Sequence, residues 1–72
     1  MRRFDSKALH EAIDKQRKVR DMTWTDVSRE IGVGTSTITG TRKGGRMEVD
    51  GMLAMVDWLG VPVETFVRER DY

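Results

Sequence analysis

The densest chemistry in this sequence lies in "GVGTSTITGTRKGG", Gly32 to Gly45, where five glycines, four threonines and a serine share fourteen residues. Arg42 and Lys43 fall near its end and Arg46 follows it. Hydroxyls and glycine backbone can cradle a phosphate, and the cations can neutralise one. A phosphate-binding P-loop, however, reads G-x-x-x-x-G-K-[ST] between a strand and a helix. Here five residues separate Gly34 from Gly40, Thr41 follows Gly40, and no strand pattern precedes. Gly32-Val33-Gly34 also lacks the third glycine of a dinucleotide-binding turn.

A helix accounts for the stretch better. A short helix, a turn containing Gly and a second short helix form the helix-turn-helix pattern. Gly32 suits the turn, Ser28 is a small residue where the two helices cross, and Ile38 is the apolar plug of the second helix. With Ile38 inward, Ser36 and Gly40 fall on the opposite face, with Thr39 beside them and Thr35 at the N-terminus. In this motif that outer face enters the major groove of DNA. The tract is small because its outer face has no core to fill.

The flanking elements are predicted from their punctuation. Asp5 can cap a first helix, Phe4 and Leu9 are placed as a hydrophobic staple, and Leu9, Ala12, Ile13 and Gln16 recur at helical spacing until about Arg20-Asp21. Thr23 and Asp26 form a capping-box variant for a second helix that carries Trp24, Val27 and Ile31 on one face and stops at Gly32. The third helix spans about 35–42, with Gly34 as its cap. A fourth begins near Glu48, carries Val49, Met52, Leu53, Val56 and Leu59 as an apolar stripe, and ends at Gly60. A fifth follows Pro62 with Val63, Phe66 and Val67 inward. No segment alternates long enough to argue for a strand, so the expected fold is all-α, a compact five-helix domain spanning the chain, with its helix-turn-helix at about 23–43.

Seventy-two residues allow one small core. The net charge of +1 conceals an asymmetry: residues 1–46 hold eleven Lys and Arg against six Asp and Glu, and residues 47–72 hold two against six. A directed field of that kind points to nucleic acid, with an evenly solvated surface as the plain alternative. There are no cysteines, and the longest apolar run, Met52 to Val56, is too short to span a bilayer. A cytoplasmic protein without membrane association is expected. His10 is the one histidine and falls on the polar side of the first helix. With no nucleophile matched to a base and no paired metal ligands, neither enzymatic activity nor a cofactor is expected. Met52, Met55 and Trp58 read as core packing, and surplus apolar surface there, with the fifth helix, suits a two-fold contact with a second copy.

The run "MTWTDVSREIGVGTSTITGTRKGG" resembles the lambda-repressor and Cro-like helix-turn-helix family, also called the XRE family. Its members read roughly L-T-x-x-x-L-A-x-x-x-G-V-S-x-x-x-I-S-x-x-E-x-G. Met22, Thr23, Val27, Ser28, Gly32, Val33, Ile38, Thr39 and Gly44 fall in register without gaps, and "MLAMVDWLGVPVETFV" is similar to the family's fourth and fifth helices. The resemblance implies a transcriptional regulator, with a repressor the first expectation and an activator left open, bound as a homodimer to a palindromic double-stranded operator. It places Thr35, Ser36, Thr39 and Gly40 against bases. It places Thr23, Trp24, Arg17, Arg42, Lys43 and Arg46 at phosphates. The chain departs from the pattern in four places, one of them Trp24, where relatives often have Gln. Gly34 stands where a Ser cap is usual, and Gly40 where a long polar side chain is common. Arg42 replaces the Glu that pairs with Arg17 in relatives, so Arg17 is expected to pair with Asp14 or Asp21 instead. A second reading keeps the scaffold but gives it to protein–protein contact, as in an antitoxin-like or phage accessory factor, with DNA affinity weak or non-specific.

Overall fold

Asp5 opens the first helix as its position predicts: its carboxylate accepts from the Ala8 amide at 3.0 Å. The computed structural model describes residues 2–69, in the order β1 (Arg2–Phe4), α1 (Ser6–Val19), α2 (Trp24–Ile31), α3 (Thr35–Arg42), α4 (Val49–Leu59), a 3-10 turn (Val63–Phe66) and β2 (Val67–Glu69). Arg17 and Lys18 occupy the last turn of α1, where cations complement the helix dipole. Asp21, at φ 55°, then turns the chain towards α2.

Both halves of the expected capping box form at the start of α2. Asp26 N donates to Thr23 Oγ1 at 3.1 Å, and Thr23 N donates to Asp26 Oδ2 at 3.0 Å. The exit from α2 is closed at Ser28. Its carbonyl accepts from Gly32 N and Val33 N, while its hydroxyl donates to Val33 O. Gly32 adopts φ 87°, a left-handed conformation that costs glycine little. Ser28 therefore locks the three-residue turn between α2 and α3.

The core consists of Leu9 and Ile13 from α1, Val27 from α2, Ile38 from α3, Met55 and Val56 from α4, and Phe66 from the 3-10 turn. α1 is the central element, packed against both α3 and α4. Each such side chain contributes roughly 1.5–3 kcal/mol when fully buried. A Cβ at Gly51 of α4 would meet Thr37 Cγ2 of α3 at 3.4 Å, an ordinary contact distance. At the far end of α4, Trp58 Nε1 donates to Glu30 at 2.9 Å, and the Arg20 guanidinium lies 4.9 Å from the Trp58 ring centroid. Arg20 also pairs with Glu30 at 3.3 Å, tying α1, α2 and α4 together.

The fold is mostly helical, as expected, but the described residues form four α-helices rather than five. The segment after Pro62 makes one 3-10 turn and then leaves as β2, which pairs antiparallel with β1. Arg2 faces Glu69, Arg3 faces Arg68, and Phe4 faces Val67, so Val67 is half-buried in a strand instead of inward on a helix. Asp5 N adds a bond to Phe66 O at 2.7 Å, and the Phe4 and Phe66 rings meet edge to face at 5.9 Å. Three-residue strands are too short for alternation to register, and their pairing depends on a partner at the other end of the chain.

The stripe on α4 also differs from expectation. Met55 is its buried centre, whereas Val49 is 61% and Leu53 43% exposed. Counting from Met55, Gly51 and Leu59 lie within roughly 40° around the helix, and Leu53 lies roughly 160° away. The apolar residues on α4 cover more of its circumference than α1 and α2 bury. No helix among the described residues is long and apolar enough to cross a membrane.

Candidate functional site

α3 turns Ile38 and Thr41 into the protein and leaves Thr35, Ser36, Thr39 and Gly40 exposed. This is the division predicted from the sequence. Gly34 caps the helix without a side-chain bond. Among the described residues, the Thr35 and Ser36 amides have no acceptor, so the N-terminus presents two free donors. Thr39 Oγ1 donates to Thr35 O at 2.9 Å, which leaves its methyl and its lone pairs for an outside partner. Nothing lies within 4 Å of the place a Cβ would take at Gly40.

One flank of this face is a cleft of about 500 Å³ whose walls include His10, Arg17, Trp24, Thr35, Thr39 and Arg42. It thus gathers residues predicted separately as base and phosphate contacts. Trp24 is half-buried between two cationic or polar neighbours. The His10 ring stacks on it at 5.0 Å and 20°, and the Arg17 guanidinium lies 4.8 Å from its centroid. Its indole N–H has no acceptor among the described residues, and no side-chain nitrogen there is both buried and unpaired. The N–H is therefore accessible at the surface.

Arg17 holds this arrangement together. It donates through Nε and Nη2 to Asp14 Oδ1 at 3.0 and 2.7 Å, and through Nη1 to Met22 O at 3.0 Å. Of the two expected partners it takes Asp14, and most of its donors serve the fold. The Arg17 hydrogen bonds, helped by Lys18, hold the Asp14 carboxyl below the ordinary carboxylate value. Thr23, at the start of α2, has its amide and its hydroxyl oxygen engaged by Asp26, and its hydroxyl also helps hold the Asp26 carboxyl below the ordinary value.

His10 is not a solvated helical residue as its position suggested. It is half-buried, and Nδ1 lies 2.9 Å from Thr41 Oγ1. Thr41 already donates to Ile38 O at 2.6 Å, so its oxygen must accept from His10, which places the imidazole hydrogen on Nδ1. His10 and Thr41 are 31 positions apart, and no local pattern marks either one.

On the other flank, Lys43 caps the C-terminus of α3 and lies on the side of Ser36 and Gly40. The loop beyond it is anchored where Ser6 Oγ donates to Gly45 O at 3.0 Å. Among the described residues, Arg42, Lys43 and Arg46 have no carboxylate within ion-pair distance, and all three are exposed. An unobstructed face of small residues thus has the unpaired Arg42 on one side, where Glu11 and Asp14 also line the cleft, and the unpaired Lys43 and Arg46 on the other. No protein-family model, no curated protein and no solved structure matches this chain.

Proposed function

We propose that this chain binds double-stranded DNA in a sequence-specific manner as a small transcriptional regulator of the lambda-repressor and Cro-like type, with α3 in the major groove. The observation that carries the reading is the outer face of α3. It is small and exposed, has two free amides at its start, and is flanked by Arg42 on one side and Lys43 and Arg46 on the other. A groove needs a convex helix without bulky obstruction and cations at both edges, where the phosphates run.

Base readout falls to Thr35, Ser36 and Thr39, whose methyls can pack on thymine and whose hydroxyls can meet several base edges. None can form a bidentate contact, so discrimination per base pair is weaker than the ~1–3 kcal/mol of such pairs, and DNA shape supplies the remainder. Gly40 lets the backbone come close. The Trp24 N–H, the Thr23 hydroxyl, Arg42, Lys43 and Arg46 take phosphates, while Arg17 acts mainly by holding Trp24. A second copy pairs through the exposed Val49 and Leu53 edge of α4, which gives the operator a two-fold symmetry.

Selection of bound duplexes from a random pool, at two salt concentrations, tests this reading. Enrichment of a palindromic motif supports it. Binding without enrichment that vanishes as salt rises reduces it to phosphate attraction. In that case the exposed α4 edge makes protein contact the better reading. Lys43→Glu with Arg46→Glu then separates the two, because it abolishes DNA binding and leaves a protein complex intact.

A further inference from the structure

We infer that the DNA-contacting surface does not end at α3: Arg3, Lys7, Lys43 and Arg46 form a second phosphate-binding strip that follows the duplex backbone past the recognition helix. This inference rests on the DNA-binding reading above. Lys43, Arg3 and Lys7 line one open cavity of about 320 Å³. Arg3 and Arg46 line a second, of about 590 Å³. The two share Arg3, Phe4 and Gly44, so they are one continuous surface that starts at the C-terminal end of α3.

The charge here is uncompensated. Arg17, Lys18, Arg20 and Arg68 each have a carboxylate partner. Among the described residues, Arg3, Lys7, Lys43 and Arg46 have none, and these four converge on one surface. Among the described residues, the one carboxylate lining it, Asp5, is engaged by the Ala8 amide and by Arg68 at 3.5 Å. Arg3 also faces Arg68 directly across the β1–β2 ladder, and the Asp5 carboxylate on Arg68 offsets that like-charge pairing while leaving Arg3 itself without a carboxylate partner among the described residues.

The strip is built on rigid backbone. Arg3 sits in the ladder, and the Ser6–Gly45 bond fastens the loop to α1. Gly44 holds φ 77°, and a Cβ there would lie 2.9 Å from Lys7 Cγ and Cε. The Lys7 stem therefore lies over Gly44, which places its ammonium on the same surface as Lys43. An elongated, open run of cations continuous with the groove-facing helix fits a polyanion backbone better than a single enclosed phosphate.

The test measures affinity for a pool of random-sequence 30-bp duplexes across a salt series. It compares the unaltered chain with Arg3→Gln, Lys7→Gln, the double variant, and Lys15→Gln. Lys15 is an exposed α1 cation that lines neither cavity, and thermal unfolding confirms that each variant is folded. The slope of log affinity against log salt should shrink by about 0.9 for each single variant and about 1.8 for the double, and stay unchanged for Lys15→Gln. Slopes for Arg3→Gln and Lys7→Gln equal to that of the unaltered chain would overturn the strip while leaving α3 as the interface. An equal decrease for Lys15→Gln would also overturn it, because net charge alone would explain the effect. Absence of salt-dependent duplex binding by the unaltered chain would overturn the DNA reading itself, and the strip with it.

Discussion

The His10 ring lies parallel to the Trp24 indole, 5.0 Å away, while Nδ1 of the same histidine is held by Thr41 on α3. One side chain of α1 thus fixes the first residue of α2 relative to α3. With Arg17 packed on the same indole at 4.8 Å, Trp24 is oriented before any partner arrives. Pre-orientation matters because a donor that is already placed loses little entropy on binding.

Replacing Trp24 separates its ring from its N–H. Trp24→Phe keeps an aromatic surface for His10 and Arg17 but removes the donor. It should leave the melting temperature nearly unchanged and weaken DNA binding by about 1.5 kcal/mol, roughly tenfold, as expected for a hydrogen bond to a charged group. Trp24→Ala should lower both. Calorimetric unfolding and a binding titration on the same preparations check this, and equal affinities for the Phe variant and the parent chain would remove Trp24 from the interface.

Gly40 offers the opposite separation. Its α3 position has open space around it, so Gly40→Ala should stabilise the fold by about 0.5–1 kcal/mol, the usual helix-interior difference. If the backbone there approaches bases, the same methyl should weaken DNA binding even as the melting temperature rises. Both measurements moving in the same direction would show that Gly40 carries no functional constraint.

Two apolar residues of α4 should behave unlike each other. Met55 is fully buried, so Met55→Ala should cost about 2–5 kcal/mol, a large part of the stability of so small a domain. Leu53 is 43% exposed, and Leu53→Ala should cost well under that. Its effect belongs in sedimentation instead, as a weaker association between copies.

Acid should loosen α1 and α2 through two named carboxylates. Asp14 is held below the ordinary value of 3.8 chiefly by Arg17, and Asp26 chiefly by the Thr23 amide and then its hydroxyl. Each value is lower in the folded chain than in the unfolded one. The stability they contribute is complete above the ordinary carboxylate value and is lost as pH falls through the lowered values. Denaturant midpoints should therefore be insensitive to these groups near neutrality and fall below about pH 4. Asp14→Asn and Asp26→Asn should each flatten that acid limb, and an unchanged limb in both would count against the two pairings.

How far the sequence could be read depended on the range of each interaction. The Asp5 cap, the Thr23–Asp26 box and the Gly32 stop all form within a few residues, and each was legible from identity and spacing, while for Arg17 spacing left Asp14 and Asp21 equally open. So was the division of α3 into an inward Ile38 and an outward Thr35, Ser36, Thr39 and Gly40, because helical periodicity alone sets it. The terminal β-ribbon was not legible. Arg2-Arg3-Phe4 has no strand pattern of its own, and its ladder exists only because Phe66 anchors the other end of the chain beside it. The apolar stripe of α4 was legible as a stripe but not as a face, since Val49 and Leu53 differ from Met55 only in what happens to pack against them.

By itself, then, the sequence determined the four helices, their caps and the small outer face of α3, all consequences of local backbone bonding and of a 3.6-residue period. Tertiary structure alone decided that His10 would meet Thr41 and Trp24, that Lys7 would lie over Gly44, and that Arg3 would join Lys43 and Arg46 on one surface. Those contacts join residues far apart in the chain, and a side chain carries no local signal of a neighbour that only the packing of α1 against α3 brings within reach.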